Sequence, residues 1–568
     1  MFNSAHFSRM PSSKKAHTRF NMPSVISGTS NHGELIPIDC YFALPGDIDH
    51  TRLNGEIRMS TPIAPIMSQI KGSINVFFVP WRLIWDHSKE FFGENNETAG
   101  PQQTNYKIPM KNFNYESDDD VVVGSVSHYL GKPLRKDVTE NDGLYASVLK
   151  ERAFWLIYTE YYRAEQVMNP VLIDKSDDGE KIGSKDGVNL TFGTKVPHVL
   201  KDFDYFTTMT RSPEYGPAVE LPLGSVAPVI LDGSPVSMGF GEAQPGNNWF
   251  TMFVGRNGNT QKAVVNLESD STVDILQTAD SYVSGEVPSN SPLLADLSKA
   301  TAATIDELYL AMAAQAWYHN ANYGSRYFEM LEVHYGVSNP DLVMIRPEHI
   351  AEFKFDINVQ QVLATAATEE GQIGQPGANS LTYIRKNLYN KSFGEHGFVM
   401  VLFSTYHQRY YSAGIMREDS YEELFDIYFP EFANIGDQAV LRKELYADES
   451  DENFYDGVNS DVIGYQEAWA ELRFRPSRAT GLLDPYAEVG VNSDQNALRY
   501  WILADKFESS PTLSEEFLLE DRKAISEALV SGKNGPDYVW SFYFDRTMMR
   551  EIPAFSVPGL PGRGRGII

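Results

Sequence analysis

Residues Ile74 to Val79 constrain this chain more than any other six. In INVFFV, Ile74, Val76 and Phe78 alternate with Asn75, Phe77 and Val79, so both faces of an extended segment are largely apolar. Successive side chains of a strand point to opposite faces, so this pattern reads as a strand buried largely on both sides. Pro80 ends it, because proline brings no N–H to a ladder. Trp81, Arg82, Trp85, Asp86 and His87 then open a compact, helix-compatible segment.

Further strands are expected at Leu35 to Ile38, Phe398 to Thr405 and Ala470 to Phe474. Two helical regions stand out. Thr304 and Glu307 give a capping-box pattern ahead of Ile305, Leu308, Met312 and Ala316 at helical spacing, and after Gly324 a second stretch, SRYFEMLEVHY, stops at Gly336 as a C-terminal glycine would make it. Leu149, Ala153, Leu156, Ile157 and Tyr161 place another helix near Ala146 to Gln166. Strands this far apart need long connections. The abundance of Gly (42), Pro (31), Tyr (30) and Phe (32) suits a loop-rich β protein better than a helical bundle. From Ser225 to about Ala300 the chain turns rich in Gly, Ser, Asn and Pro, with short β-like runs WFTMFVG and KAVVNL, and reads as an inserted surface subdomain.

The formal net charge of −28 argues against a surface that binds nucleic acid all over, but not against a local basic patch. Such a patch lies at the N-terminus, where Arg9, Lys14, Lys15 and Arg19 are the charges and no acid precedes Glu34. Residues 1–33 are too hydrophilic to bury and are expected to be disordered unless tied down. The stretch lacks the apolar core of a signal peptide, although its acid-poor composition mimics an organellar transit peptide. Arg563 and Arg565 form a smaller basic tail at residues 563–568. Either end reads as a phosphate-neutralising arm or as a frayed terminus with incidental charge. No apolar run approaches the roughly 18 residues of a membrane span, and Cys40, the only cysteine, rules out an intrachain disulfide.

The sequence carries no catalytic or metal-binding motif. In DKSDDGEKIGSK, Asp174, Ser176, Asp178 and Gly179 match the first, third, fifth and sixth positions of a calcium loop, but Lys185 stands where a bidentate carboxylate is needed. A solvated turn is the simpler reading. Asp118, Asp119 and Asp120 read as a solvated acidic face, and the acids from Glu422 to Glu452 as outer or inter-subunit surface. The histidines form no HExxH and there is no CxxC pair, so a zinc site has no sequence support. His87 and His396 read as packed, hydrogen-bonded side chains. Phosphate-loop and nucleophile-elbow motifs are missing as well. No catalytic residue, metal ligand or cofactor is assigned, and the chain is not expected to be an enzyme.

A resemblance adds what the residues alone do not. RMSTPIAPIM with INVFFVPWRLIWDHSKEFFGENN resembles the major capsid protein of the Microviridae, the small single-stranded DNA phages, and their gokushovirus-like branches in particular. Similar blocks recur in family order: GELIPIDCYFALPGD, ERAFWLIYTEYYRAEQ, KDFDYFTT, TIDELYLAMAAQAW, GSRYFEMLEVHYGVSNPDLVMIRPEHI, EHGFVMVLFS, FDIYFPEFANIGDQAVLRKELYA, GYQEAWAELRFRPS and VPGLPG. After DYFT the chain departs from the family's frequent Pro-rich sequence, reading TMTRSPEYGPAVELPLG.

The resemblance implies a mainly β fold, an eight-stranded antiparallel jelly roll of the viral capsid type with long loop and helical insertions. It implies a jelly-roll domain over residues 34–562, an interior-facing arm at 1–33, and a projecting, host-contacting insertion at 225–300. Copies would join as pentamers into a T=1 icosahedral shell around circular single-stranded DNA. Arg9, Lys14, Lys15, Arg19, Arg563 and Arg565 are then the candidates for DNA contact. A small basic DNA-packaging protein, a pilot protein and a host-surface receptor are the expected partners, with no membrane insertion. The virion is the expected location, after assembly in the host bacterial cytoplasm. The alternative is a soluble jelly-roll protein that binds or hydrolyses carbohydrate in a convergent polar cleft.

Overall fold

A computed structural model describes residues 17–94, 106–113, 121–134, 144–216, 229–231, 237–240, 249–256, 259–266, 293–295, 305–322, 324, 326–337, 345–363, 376–447, 461–487 and 498–555. The chain divides into two compact units, residues 214–323 and the remainder.

Nine strands form the wall of the larger unit: β1 (Thr18–Asn21), β2 (Ser24–Ser30), β3 (Ile36–Ala43), β4 (Ile48–Met59), β5 (Ile70–Pro80), β6 (Glu348–Asp356), β7 (Thr382–Ser392), β8 (Gly397–His407) and β9 (Tyr538–Arg550). The first sheet runs β2-β9-β4-β7, with β1 also on β9, and the second runs β6-β5-β8-β3. Every pairing between them is antiparallel. From β2 onward the chain passes between the two sheets at almost every step, as in a viral-capsid jelly roll. The first sheet exceeds the expected strand set because β1 and β2 lie end to end on β9. Pro23 interrupts them, while Met22 N–H still donates to Arg546 O at 2.8 Å.

The segment expected as an arm to residue 33 therefore enters the sheet at Thr18. Its polar composition is compatible with a strand because one of its faces meets water. The strand expected at Ala470 to Phe474 is instead a 3₁₀ turn, Ala470–Leu472, following Trp469 in the left-handed region (φ 66°). Ala470 is buried in a small satellite core while Leu472 and Phe474 are exposed, so the run does not hold one face against the core as a strand would. The neighbouring strand is Val462–Glu467.

The core lies between the sheets. Phe403 of β8 meets Phe542 of β9 edge-on, with ring centroids 5.6 Å apart. Gly55 of β4 sits opposite Phe542, where a Cβ would come within 2.7 Å of the ring. Only glycine lets that ring lie flat on the neighbouring strand.

The second sheet is buried on its far side too. All eleven residues of β8 are buried, and so is β5 except Lys71. The cover comes from the β5–β6 connection. Trp81 packs on Phe398 (5.7 Å) and Tyr161 on Phe77 (4.8 Å). Helix α1 (Leu149–Ile157) buries Leu149, Ala153, Phe154 and Ile157 in the same core, then widens into a π turn, Tyr158–Tyr162.

The calcium-like turn belongs to this cover. Arg152 Nη1 donates to Ser176 O at 2.8 Å, and Nη2 to Asp178 O at 2.7 Å and Lys181 O at 2.9 Å. A buried guanidinium thus occupies the carbonyl-lined hollow where a metal loop would hold its ion.

The smaller unit contains an antiparallel pair, Trp249–Arg256 with Asn259–Asn266, and helix α2 (Ile305–Asn322). The expected 225–300 insertion falls within its bounds, whereas Thr304 of the expected capping box lies outside the described residues. Helix α3 (Tyr327–Tyr335), in the larger unit, ends at Gly336 with φ 64°, the left-handed stop its glycine suggested.

Candidate nucleic-acid interface

Among the described residues, the outer face of the first sheet has no cover comparable to that of the second. Along β4, His50, Arg52, Asn54, Glu56 and Arg58 face out while Asp49, Thr51, Leu53, Gly55 and Ile57 are buried. β9 alternates likewise, with Val539, Ser541, Tyr543, Asp545 and Thr547 outward. The register sets these residues in rows. Arg385 (β7), Asn54 (β4), Tyr543 (β9) and Val25 (β2) form one, and Asn387, Arg52 and Asp545 the next. Directly opposed residues in such rows have Cβ atoms about 5 Å apart.

A bulge enriches the patch. The register of β7 slips between Asn387 and Tyr389, which leaves Arg385, Lys386 and Asn387 exposed in succession. Arg52, Asn54, Arg385, Lys386, Asn387 and Asp545 line one shallow depression. Lys386 leans toward the edge, its Nζ 5.3 Å from the Phe353 ring centroid.

Pairing separates these cations from their neighbours. Arg58 is taken by Glu56 at 2.6 Å. Arg546, one residue from Asp545 but facing inward, bonds Asp39 of β3, lies 3.6 Å from Asp49 and stacks over Tyr41 at 3.9 Å. Burial disfavours its charged form, but Asp39, Tyr41 and Tyr389 outweigh that and hold its pKa above the ordinary arginine value. Arg550 is bound by Asp47 at 3.0 Å. Arg19, Arg52 and Arg385 have no ion-pair partner among the described residues.

Flexible unpaired cations among Asn54, Asn387 and Asn390, with Tyr383 and Tyr543 exposed beside them, are the elements of single-strand recognition: charge for phosphates, amides for polar edges, rings for stacking. Of the six residues expected to contact DNA, Arg19 lies on this face, exposed in β1 opposite Met549. It lies two rows from Arg52, with the row of His50 and Thr547 between them, roughly 14 Å along the strands. Arg9, Lys14, Lys15, Arg563 and Arg565 lie outside the described residues, as do Asp118, Asp119 and Asp120. Arg52, Arg385 and Lys386 escaped notice because strand register, not sequence proximity, assembles them. The legible signal was the polar alternation H-x-R-x-N-x-E-x-R from His50 to Arg58.

The two histidines read as packed are packed. His87 stacks on Tyr106 at 4.1 Å and its Nδ1 is 3.0 Å from Asp177, and His396 stacks on Phe92 at 3.9 Å.

Comparison with known proteins resolves the class. The family described as capsid protein (F protein) matches residues 8–560. The chain belongs to that family. Capsid protein VP1 of Chlamydia phage 1 is 30% identical over 596 aligned residues, covering 98% of this chain and 97% of its own length. VP1 of Bdellovibrio phage phiMH2K is 29% identical (99% and 98% covered), and VP1 of Spiroplasma virus 4 is 29% identical (98% and 97%). This is a phage capsid protein of the Microviridae kind, a structural component of the virion and not an enzyme. The hydrolytic alternative falls with that result. Among the described residues no helix is long and apolar enough to cross a membrane.

Proposed function

We propose that this capsid protein closes, through pentamers, into a T=1 icosahedral shell around a circular single-stranded DNA genome, with the outer face of the first sheet turned toward the DNA. The observation that carries this reading is the pair of arginines Arg52 and Arg385, set in neighbouring rows of one exposed face and without an ion-pair partner among the described residues, in a chain of net charge −28. An acidic protein gains nothing in solubility from such a cluster, whereas a packaged polyanion needs one. Arg19 extends the face, and Arg9, Lys14, Lys15, Arg563 and Arg565 supply further cations from the two ends of the chain. The 225–300 insertion projects outward and meets a host-surface receptor. Assembly proceeds in the host bacterial cytoplasm with a small basic DNA-packaging protein and a pilot protein.

Sedimentation and electron microscopy of the protein expressed with its phage genome test the shell. Uniform closed particles are expected, and a protein that stays monomeric under every assembly condition overturns it. Particles carrying Arg52→Glu and Arg385→Glu should hold clearly less DNA than wild type, and unchanged DNA content removes the DNA-facing role of the sheet. Replacing residues 225–300 by a short linker should leave particles that adsorb poorly to the host. Loss of assembly with host binding intact would make the insertion structural instead.

A further inference from the structure

At one end of the sandwich, three potential metal ligands converge from segments far apart in sequence. His32 follows β2, His407 ends β8, and Glu520 precedes β9. Their side chains are fully buried. His32 Nε2 is 2.8 Å from Glu520 Oε1, His407 Nδ1 is 2.6 Å from the same oxygen, and the two nitrogens are 3.0 Å apart. Among the described residues this is the group of His, Cys and acidic side chains whose ligand atoms gather closely enough to hold an ion.

A triangle of three electronegative atoms is hard to satisfy with protons alone. If both imidazoles donate to Glu520, two N–H groups confront each other across 3.0 Å. If only one donates, the other nitrogen turns a lone pair toward a carboxylate oxygen. A cation at the centre satisfies all three atoms together.

The surroundings suit that arrangement. His32 Nδ1 lies 3.0 Å from Tyr538 Oη and 3.2 Å from Thr405 Oγ1, so these hydroxyls can hold the proton on Nδ1 and leave the Nε2 lone pair facing inward. Glu520 offers Oε1 to the centre while Oε2 lies 3.0 Å from Arg409 Nη2, an ion pair outside hydrogen-bond geometry. Arg409 is anchored in turn by Asp505, and the His32 backbone N–H by Asp537 at 2.9 Å, itself held by Arg522 at 2.8 Å. With neutral imidazoles, the carboxylates Glu520, Asp505, Asp521 and Asp537 outnumber the cations Arg409, Arg522 and Lys201 by one. His407 Nε2, on the far side of its ring, has no hydrogen-bond partner among the described residues.

We propose that His32 Nε2, His407 Nδ1 and Glu520 Oε1 bind a divalent transition cation, zinc by its preference for imidazole and carboxylate donors, as a structural staple. Zinc–ligand distances near 2.0–2.1 Å place tetrahedral donors about 3.3 Å apart, so the triangle opens by roughly 0.5 Å on loading, and a water carried in with the ion takes the fourth position. The ion ties the end of β2 in the first sheet to the end of β8 in the second. A chain whose single cysteine is Cys40 cannot make that link with a disulfide of its own. The fully buried site is loaded during folding, when the ligands lose their protons to solvent and the cation takes their place.

The test is elemental analysis of protein refolded from denaturant with ZnCl₂ or with EDTA, then exhaustively dialysed, together with its melting temperature. About one zinc per chain and a melting temperature several degrees above the EDTA-refolded sample are expected, with MgCl₂ giving no such rise. Less than a tenth of an equivalent, or equal melting temperatures, overturns the proposal. His407→Gln should abolish the stoichiometric zinc, and zinc retained in that variant also overturns it. Should His407→Gln fail to fold, zinc-edge X-ray absorption of the wild type decides without a variant. Two imidazole ligands with one carboxylate support the site, and any set without two imidazoles sinks it.

Discussion

The two sheets of the wall are built from the same strand chemistry yet live in different environments. The second keeps both faces dry: β8 is buried along its whole length and β5 nearly so, with Trp81, Tyr161 and α1 lying across the side away from the core. The first is dry on one side only, its strands alternating buried and exposed residues as β4 does. A sheet covered by its own chain is committed to internal stability. A sheet that the described residues leave bare, and whose Arg52 and Arg385 have no ion-pair partner among them, is available to another molecule.

That contrast breaks most sharply at the shared core. Phe403, only 1% exposed, stands between Phe355 of β6 and Phe542 of β9. Phe403→Ala should cost about 3–5 kcal/mol, the usual range for deleting a buried aromatic ring. Urea denaturation of the unassembled protein reads this directly, and a drop of only about 1 kcal/mol, well below that range, would mean that the inter-sheet layer is far looser than its packing implies. Next in size is the cover of the second sheet. Arg152→Met keeps most of the volume but strips Ser176, Asp178 and Lys181 carbonyls of their donor. A destabilisation of about 3 kcal/mol is expected, since each orphaned buried group costs about 1–3 kcal/mol and the loop can recover part of that from water. Added CaCl₂ should leave the wild-type melting temperature unchanged, because the guanidinium already fills the hollow.

Legibility in the sequence follows the same division. A strand dry on both faces writes itself as a continuous apolar run, so INVFFV and FVMVLFS read directly as β5 and β8. Gly336 announced the end of α3 because few other residues tolerate a left-handed stop. A half-wet strand is fainter. SVISGTS reads as a polar arm until its partner is known, and that partner, β9, lies about 500 residues away, Gly28 pairing with Trp540. The patch around Arg52 and Arg385 was only partly legible for the same reason: the alternation from His50 to Arg58 marks a wet face, but only the β4–β7 register makes neighbours of residues from distant strands. The buried trio His32, His407 and Glu520 is the extreme case, because no local spacing foreshadows it.

A smaller effect distinguishes the covered side by pH. His349 of β6 packs on Phe77 at 5.0 Å beneath the cover, and its Nε2 is 3.1 Å from Asn75 Oδ1. Burial lowers its pKa, with Glu352 pulling the other way and Arg346 adding to the fall. A depressed histidine is neutral in the folded state while the unfolded chain takes up a proton near pH 6.5. Its stabilising contribution is therefore complete above about pH 6.5 and declines as pH falls toward the folded value. The denaturation midpoint should drop between about pH 7 and pH 5, and His349→Gln should make that drop shallower. An identical slope in the variant would assign the acid sensitivity elsewhere.

The bare face should respond in the opposite sense, with almost no change in stability and a large change in binding. Arg52→Ala, Arg385→Ala and Lys386→Ala remove exposed side chains for which the structure shows no ion pair among the described residues, so each should move the unfolding free energy by no more than about 0.5 kcal/mol. Binding of the unassembled protein to a single-stranded oligonucleotide, followed across a salt series, should behave differently. Removing one cation that neutralises a phosphate lowers the slope of log K against log salt by about 0.7, so the triple variant should show a slope shallower by about 2. The weakening should be indifferent to base sequence, because phosphate contacts carry no sequence information. If the triple variant unfolds easily, the face is structural after all and the two sheets differ less than their burial suggests. If it is stable but binds with the wild-type slope, the genome is held by the two ends of the chain and not by the wall.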